Sequence, residues 1–296
     1  MFSSSKGFSP AIPALVLLGV FFLYPVIRML GFSVEDGHLN WYVKALGEGL
    51  YLQVFWNTFE IALFVTFFCL LLGYPLGFLI ATTTPGWATL GFIFVLLPLW
   101  TSVLVRTYAW MVLLGRNGVF NRMLIDAGIV ADPLPLLHNL TGVLIGMVHV
   151  LLPYMVLPIY GAVKRLDPAI VAAAEGLGAS SWRIFWRIYL PLTLNGIFAG
   201  SVIVFVLSLG FFITPALLGG GRVIMIAILI EQQVREALNW QFAAALSAVL
   251  LAATLARVPR AVDAMLARGA RAESFAPAMD IAAMSQQYLH SRLFRS

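Results

Sequence analysis

Apolar runs long enough to cross a bilayer recur through this chain and exclude most folds before any motif is weighed. Residues 13–32, 58–81, 89–114, 141–163, 194–213 and 240–255 are each almost free of charge. About 20 consecutive apolar residues cross the hydrocarbon as a helix, which pairs its backbone N–H and C=O groups within one segment. Charged residues fill only 10% of the 296 positions, against roughly a quarter in a soluble domain. The expected class is all-α: a polytopic transmembrane helical protein of six spans. No small-residue cleavage site follows the first run, so it is expected to stay as a span and not be removed as a signal peptide.

Between the fourth and fifth runs lies a charged interruption at 166–191, LDPAIVAAAEGLGASSWRIFWRIYLP. It holds Asp167, Glu175, Arg183 and Arg187, with Lys164 and Arg165 just ahead. Such a charge density does not sit in hydrocarbon, and about 26 residues exceed what a plain connection needs. Asp167-Pro168 reads as an N-cap with proline in the first turn, and Ala172, Ala173 and Ala174 favour helix. Gly178 permits a break, a second helical piece follows, and Pro191 is expected to open the next element. Six spans put both termini on the side of this loop. Eleven of the 18 Lys and Arg residues then fall there, and the positive-inside rule makes that side cytoplasmic. The membrane domain is expected over 1–256, and a basic cytoplasmic tail over 257–296.

The other connections read less sharply. Residues 35–56 suit a loop with a short interfacial helix around 50–55. Residues 116–138 carry turn chemistry at Asn117-Gly118 and Asp132-Pro133, and 215–222 is a glycine-rich connection. The stretch 224–236 is apolar enough to enter the membrane but too short and polar to cross it, as expected of a re-entrant or periplasmic helix. The sixth span is expected to begin a turn before residue 240.

Several chemistries are excluded. A P-loop ends in Lys-Ser or Lys-Thr, but the three lysines here precede Gly7, Ala45 and Arg165. Any ATP hydrolysis therefore belongs to a partner. His38, His138, His149 and His290 are dispersed and show no metal-ligand spacing. There is no G-x-S-x-G elbow, and the single Cys69 excludes an intramolecular disulfide. The net charge of +5 is spread over loops and does not indicate nucleic-acid binding.

The spacing in 166–191 resembles the cytoplasmic EAA loop of ABC-importer permease subunits. Ala172-Ala173-Ala174 is followed by three residues, Gly178, nine residues, Ile188, Tyr189 and Leu190-Pro191; the family glutamate is replaced by Ala172, and the nearest acid is Glu175. LPLWTSVLVRTYAWMVLLGRNGVFN at 97–121, FFITPALLGGGR at 211–222 and NWQFAAALS at 239–247 resemble the spermidine/putrescine-type permeases of that family. The resemblance implies a type I ABC importer permease fold in the bacterial inner membrane, multi-pass, with both termini cytoplasmic. It implies two cytoplasmic ATP-binding subunits, a second and non-identical permease subunit, a periplasmic solute-binding protein and membrane lipid as partners. ATP and magnesium would bind the partner ATPase, with no cofactor in this chain. The coupling loop would dock in a groove of the ATPase through Ala172, Ala173, Ala174, Gly178, Leu190 and Pro191, with Phe185 on the intervening helix. Arg183 and Arg187, four apart, would meet acids on the ATPase or lipid phosphates. The implied cargo is a polyamine, with an opine, amino-acid derivative or other small organic solute as the alternative. An ion-coupled secondary carrier fits less well, since such carriers commonly show internal repeats and more spans.

Charges within the runs nominate a solute path. Glu60 and Glu231 are the acids placed to meet an amine, although either also suits an interfacial or loop position. Trp100, Tyr108, Trp110 and Tyr154 offer cation–π faces, although aromatics near span ends are more often belt anchors. Arg106 argues against a purely cationic path unless it pairs with an acid such as Glu60.

Overall fold

The computed structural model describes residues 12–34 and 39–256. Among these every regular element is helical: α1 (Ile12–Leu18), a π turn (Gly19–Leu23), α2 (Tyr24–Phe32), α3 (Asn40–Gly47), α4 (Gly49–Thr82), α5 (Pro85–Trp100), α6 (Val103–Leu114), α7 (Val119–Asp126) and α8 (Leu140–Lys164) come first. They are followed by α9 (Pro168–Gly176), α10 (Ser181–Ile184), a second π turn (Phe185–Tyr189), α11 (Leu190–Leu192), α12 (Leu194–Leu209), α13 (Ile213–Gly219), α14 (Ile226–Arg235) and α15 (Trp240–Ala256). The basic tail and the first eleven residues lie outside the described residues.

Leu15–Phe32, Gly49–Thr82 and Leu140–Lys164 are each long and apolar enough to cross a membrane. Two bent pairs, α5 with α6–α7 and α10–α11 with α12, raise the number to five if each is one span; α15 is a shorter apolar helix. Many large apolar side chains face outward, including Phe21, Phe94 and Trp100, as a lipid-solvated chain permits and an aqueous one does not.

The described residues form two compact units, one of 12–34, 39–59 and 224–255, the other of 60–223. In the first, Phe242 of α15 packs edge-on to Tyr51 at 5.0 Å and against Trp41 at 5.6 Å, over a core of Ala45, Val54, Phe55, Ile226 and Leu246. The first free N–H of α14, on Ile226, donates to Thr58 Oγ1 at 2.8 Å, while the Thr58 hydroxyl donates to the Val54 carbonyl at 2.7 Å. This anchors the ambiguous stretch 224–236 as a ten-residue helix with Ile226 and Ile228 buried.

The second unit is built around α8. Three pairs of glycines four apart let helices approach it. A Cβ on Gly73 of α4 would stand 2.8 Å from Met155 Cγ, and one on Gly77 would stand 3.1 Å from Ile159 Cγ2. On α12, a Cβ at Gly196 would stand 2.7 Å from the Pro158 carbonyl oxygen, and one at Gly200 would stand 2.8 Å from Met155 Sδ. Gly146 of α8, four residues after Gly142, meets Leu218 and Thr214 of α13. Lipid tails are as apolar as leucine, so close packing of small residues replaces the hydrophobic effect as the force joining these helices. Met155 serves α4 and α12 at once. The G-x-x-x-G spacings 73/77, 142/146 and 196/200 were visible signals that the sequence reading did not use.

Several boundaries differ from expectation. The run 89–114 is not one helix: Thr101 and Ser102 are extended, and α5 and α6–α7 meet at 103°. The Thr101 N–H and hydroxyl both donate to the Pro98 carbonyl, at 3.3 and 3.0 Å, a local alternative to continuing the helix. Residues 50–55 begin α4, and the separate helix of that loop is α3. The connection at 116–138 contains α7, and 215–222 is largely the end of α13. The helix expected to reach residue 213 stops at Leu209. The last helix starts at Trp240, because the Asn239 side chain accepts from the Phe242 N–H at 2.9 Å, an N-cap that fixes the start.

Candidate functional site

The charged loop at 166–191 matches the local sequence reasoning in its cap and its break. Asp167 Oδ1 accepts from the Ala169 N–H at 2.9 Å, capping α9 with Pro168 in its first turn. Gly178 breaks the helix at φ +80°, a left-handed conformation that costs other residues. Pro191 does not open the next element as expected; it lies inside the second helical piece, Ser181–Leu192. A proline there has no N–H for the Arg187 carbonyl, and the π turn just before it shifts the pattern, with the Leu190 N–H donating to the Phe185 carbonyl.

The two helical pieces share a small core of Ala174, Ile184 and Ile188. Ala172, Gly178, Arg183 and Arg187 are exposed, whereas Ala173, Leu190 and Pro191 are half-buried. Phe185 turns toward α4, edge-on to Phe78 at 5.4 Å and to Tyr74 at 5.7 Å; Tyr189 meets Phe78 at 4.9 Å. The Tyr74 hydroxyl lies 3.1 Å from Thr193 Oγ1. An aromatic cluster thus joins the loop to a long membrane helix. Leu177 and Trp182 are 76% and 72% exposed on this element; the sequence reading passed over both, although large apolar residues in a charged loop were the available signal.

Of the path candidates, Arg106, Trp110 and Tyr154 come together. The Trp110 indole N–H donates to His149 Nδ1 at 3.1 Å, and Thr107 and Thr214 hydroxyls sit 3.1 Å apart, tying α6 to α8 and α13. Arg106, four residues before Trp110, lies within electrostatic reach of Tyr154 and His149. It is buried, and its Nε and Nη1 have no hydrogen-bond partner. Glu60 is exposed and does not pair with it, and no other ion pair to Arg106 forms among the described residues. Trp100 and Tyr108 point outward, 89% and 55% exposed. Glu231 bonds Arg235 at 3.1 Å, one turn along α14 in the other unit. His149, dismissed as dispersed, also borders a crevice of about 660 Å³ lined by apolar residues of α4, α5 and α8.

Residues 8–271 match the family described as binding-protein-dependent transport system inner membrane component. The spermidine/putrescine transport system permease protein PotB of Haemophilus influenzae is 40% identical over 198 residues, 67% of this chain and 69% of the relative. Its counterpart in Escherichia coli K12 is 32% identical over 243 residues, 81% of this chain and 86% of that one. A crystal structure of a bacterial ABC transporter importing alginate superposes with a TM-score of 0.68 at 19% identity, over 87% of this chain and 94% of that chain. The alginate transporter solved with its alginate pentasaccharide-bound periplasmic protein gives 0.71 at 18%, over 86% and 91%.

Proposed function

This chain belongs to the family of binding-protein-dependent transport system inner membrane components, and we propose that the cargo it carries is a polyamine. It is a multi-pass inner-membrane permease subunit of an ABC importer, and it is not an enzyme. The observation that supports the polyamine reading is the identity, over most of the chain, to permeases named for spermidine and putrescine.

The working assembly has two permease subunits, of which the second is a different chain, two cytoplasmic ATPases that bind ATP and magnesium, and a periplasmic protein that delivers the solute. We assign the exposed part of residues 166–192, with Ala172, Leu177, Trp182 and Arg183, to the ATPase groove, which puts this loop and both termini in the cytoplasm. Closure of the ATPases presses on that surface. Phe185 and Tyr189 pass the displacement to Tyr74 and Phe78 of α4 through their ring contacts. Helices packed on α8 at glycine contacts then move as bodies, because interiors packed this closely have little slack to absorb it.

A second reading keeps the importer and changes the cargo to an amino-acid derivative or opine; the unpaired Arg106 favours it. The deciding experiment reconstitutes the complex in vesicles and measures ATP hydrolysis with the binding protein loaded with putrescine, spermidine or an amino-acid-derived solute. Stimulation by a polyamine alone is the expected result. Stimulation only by the amino-acid-derived solute transfers the assignment to the second reading.

A further inference from the structure

Arg106 is nine-tenths buried, and two of its three guanidinium nitrogens, Nε and Nη1, are enclosed without an acceptor. A buried guanidinium is costly to hold unless an anion faces it. Its polar neighbours do not meet that need. Tyr154 and His149 bring no carboxylate, and the Trp110 N–H is a donor already used by His149. Among the described residues Arg106 forms no ion pair, and Glu60 is turned outward. The planar fork of arginine suits a carboxylate, which accepts two parallel N–H bonds.

We propose that Arg106 is the receptor for a carboxylate that this chain does not itself supply, reached in a second conformation of the transporter. The inference rests on the importer reading above. The backbone offers a way to open the enclosed nitrogens: α6 begins directly after the 103° bend at Thr101 and Ser102, and the Arg106 N–H donates to the Ser102 carbonyl in its first turn. A change in that bend carries the guanidinium relative to His149 and Tyr154 on α8. The carboxylate has two possible sources. An amino-acid-derived solute brings its own. For a polyamine, which a bare guanidinium repels, the source is an Asp or Glu of the second permease subunit, which neutralises Arg106 along the path.

The test uses the whole importer in vesicles, with wild type, Arg106→Gln, Arg106→Lys and Arg106→Glu. Binding protein is loaded with ornithine or with putrescine, which differ by one carboxylate. If ornithine drives wild-type uptake, Arg106→Gln is expected to lower it about 10- to 100-fold, the value of hydrogen bonds to a charged group, with delivery by the binding protein unchanged. Arg106→Lys, which keeps the charge and loses the fork, falls between. If only putrescine drives uptake, Arg106→Glu abolishes it, and lysine in place of one Asp or Glu in the second permease chain restores it. Arg106→Gln complexes that assemble in normal amount and import every solute as wild type overturn the proposal. So does a loss that no exchange at the partner's acids repairs when putrescine is the cargo. A wild-type complex that no loaded binding protein stimulates fails at the importer reading, an outcome distinct from either.

Discussion

The Trp110 indole N–H donates to His149 Nδ1 at 3.1 Å, with the two rings edge-on and their centroids 5.5 Å apart. The bond fixes Nδ1 as the acceptor, so the neutral imidazole carries its proton on Nε2. It also makes Trp110 the link between α6, which follows the sharp bend, and α8, on which the unit is built. Trp110→Phe keeps a ring against Phe120, whose stacked centroid lies 6.0 Å away, but removes the donor. The expected loss is about 1 kcal/mol, read as a lowered unfolding temperature in detergent. Trp110→Ala, which loses the rings as well, should fall further. Equal unfolding temperatures for wild type and Trp110→Phe would mean that the bond contributes nothing.

How much of this was legible follows from what each signal measures. Apolar run length located most of α4, α8 and the whole of α12, which it overshot by four residues, since hydrocarbon thickness sets that length directly. Local backbone chemistry located the Asp167 cap and the Gly178 break. The bend at Thr101 and Ser102 escaped because small hydroxyl residues hardly disturb an apolar run, while their hydrogen bonds to Pro98 redirect the backbone. Arg106, Trp110 and His149 met only through the fold: the last is 39 residues from Trp110 and carried no spacing signal. The pairing with Glu60 that would reconcile Arg106 with a purely cationic path is not formed: Glu60 is exposed on α4 while Arg106 is buried on α6.

Glycines on α12 and α2 should behave oppositely. A Cβ at Gly196 meets the Pro158 carbonyl oxygen at 2.7 Å and the Ala162 side chain, and a backbone atom cannot turn aside. Gly196→Ala is expected to destabilise by about 1–3 kcal/mol through overpacking. Gly31→Ala, with open space around it, should be neutral or gain up to about 1 kcal/mol from helix propensity. Unfolding of the two variants in the same detergent compares them directly, and a harmless Gly196→Ala would refute the close α8–α12 contact.

Gly178 separates conformation from docking. Its φ of +80° makes any side chain there strained, although the space around it is open. Gly178→Ala should cost about 1–2 kcal/mol and leave part of the solute-stimulated ATP hydrolysis. Gly178→Arg adds bulk and charge to the surface assigned to the ATPase, and should abolish stimulation while the chain still enters the membrane. Wild-type uptake by Gly178→Arg would remove the coupling role from this loop.

Phe185 and Trp182 mark two faces of the element at 166–192, one toward the membrane helices and one toward the surface proposed for the ATPase. Phe185 is packed against Phe78 and Tyr74, while Trp182 is 72% exposed. Phe185→Ala is expected to lower stability by about 2 kcal/mol, since it empties an aromatic contact that is only half-buried. In the assembled complex it should uncouple: the ATPase stays bound, but loaded binding protein no longer stimulates it. Trp182→Glu gives up only surface ring contacts, to Trp186 at 5.4 Å and Phe185 at 6.4 Å, and should lower stability by no more than about 1 kcal/mol, yet release the ATPase on purification. The two variants therefore predict opposite patterns of stability and subunit retention, measured by unfolding of the isolated chain and by co-purification of the complex. Retention of the ATPase by Trp182→Glu would show that the docking surface lies elsewhere on residues 166–192. Stimulation undiminished in Phe185→Ala would show that the aromatic cluster with Tyr74 and Phe78 holds the loop in place without carrying its motion.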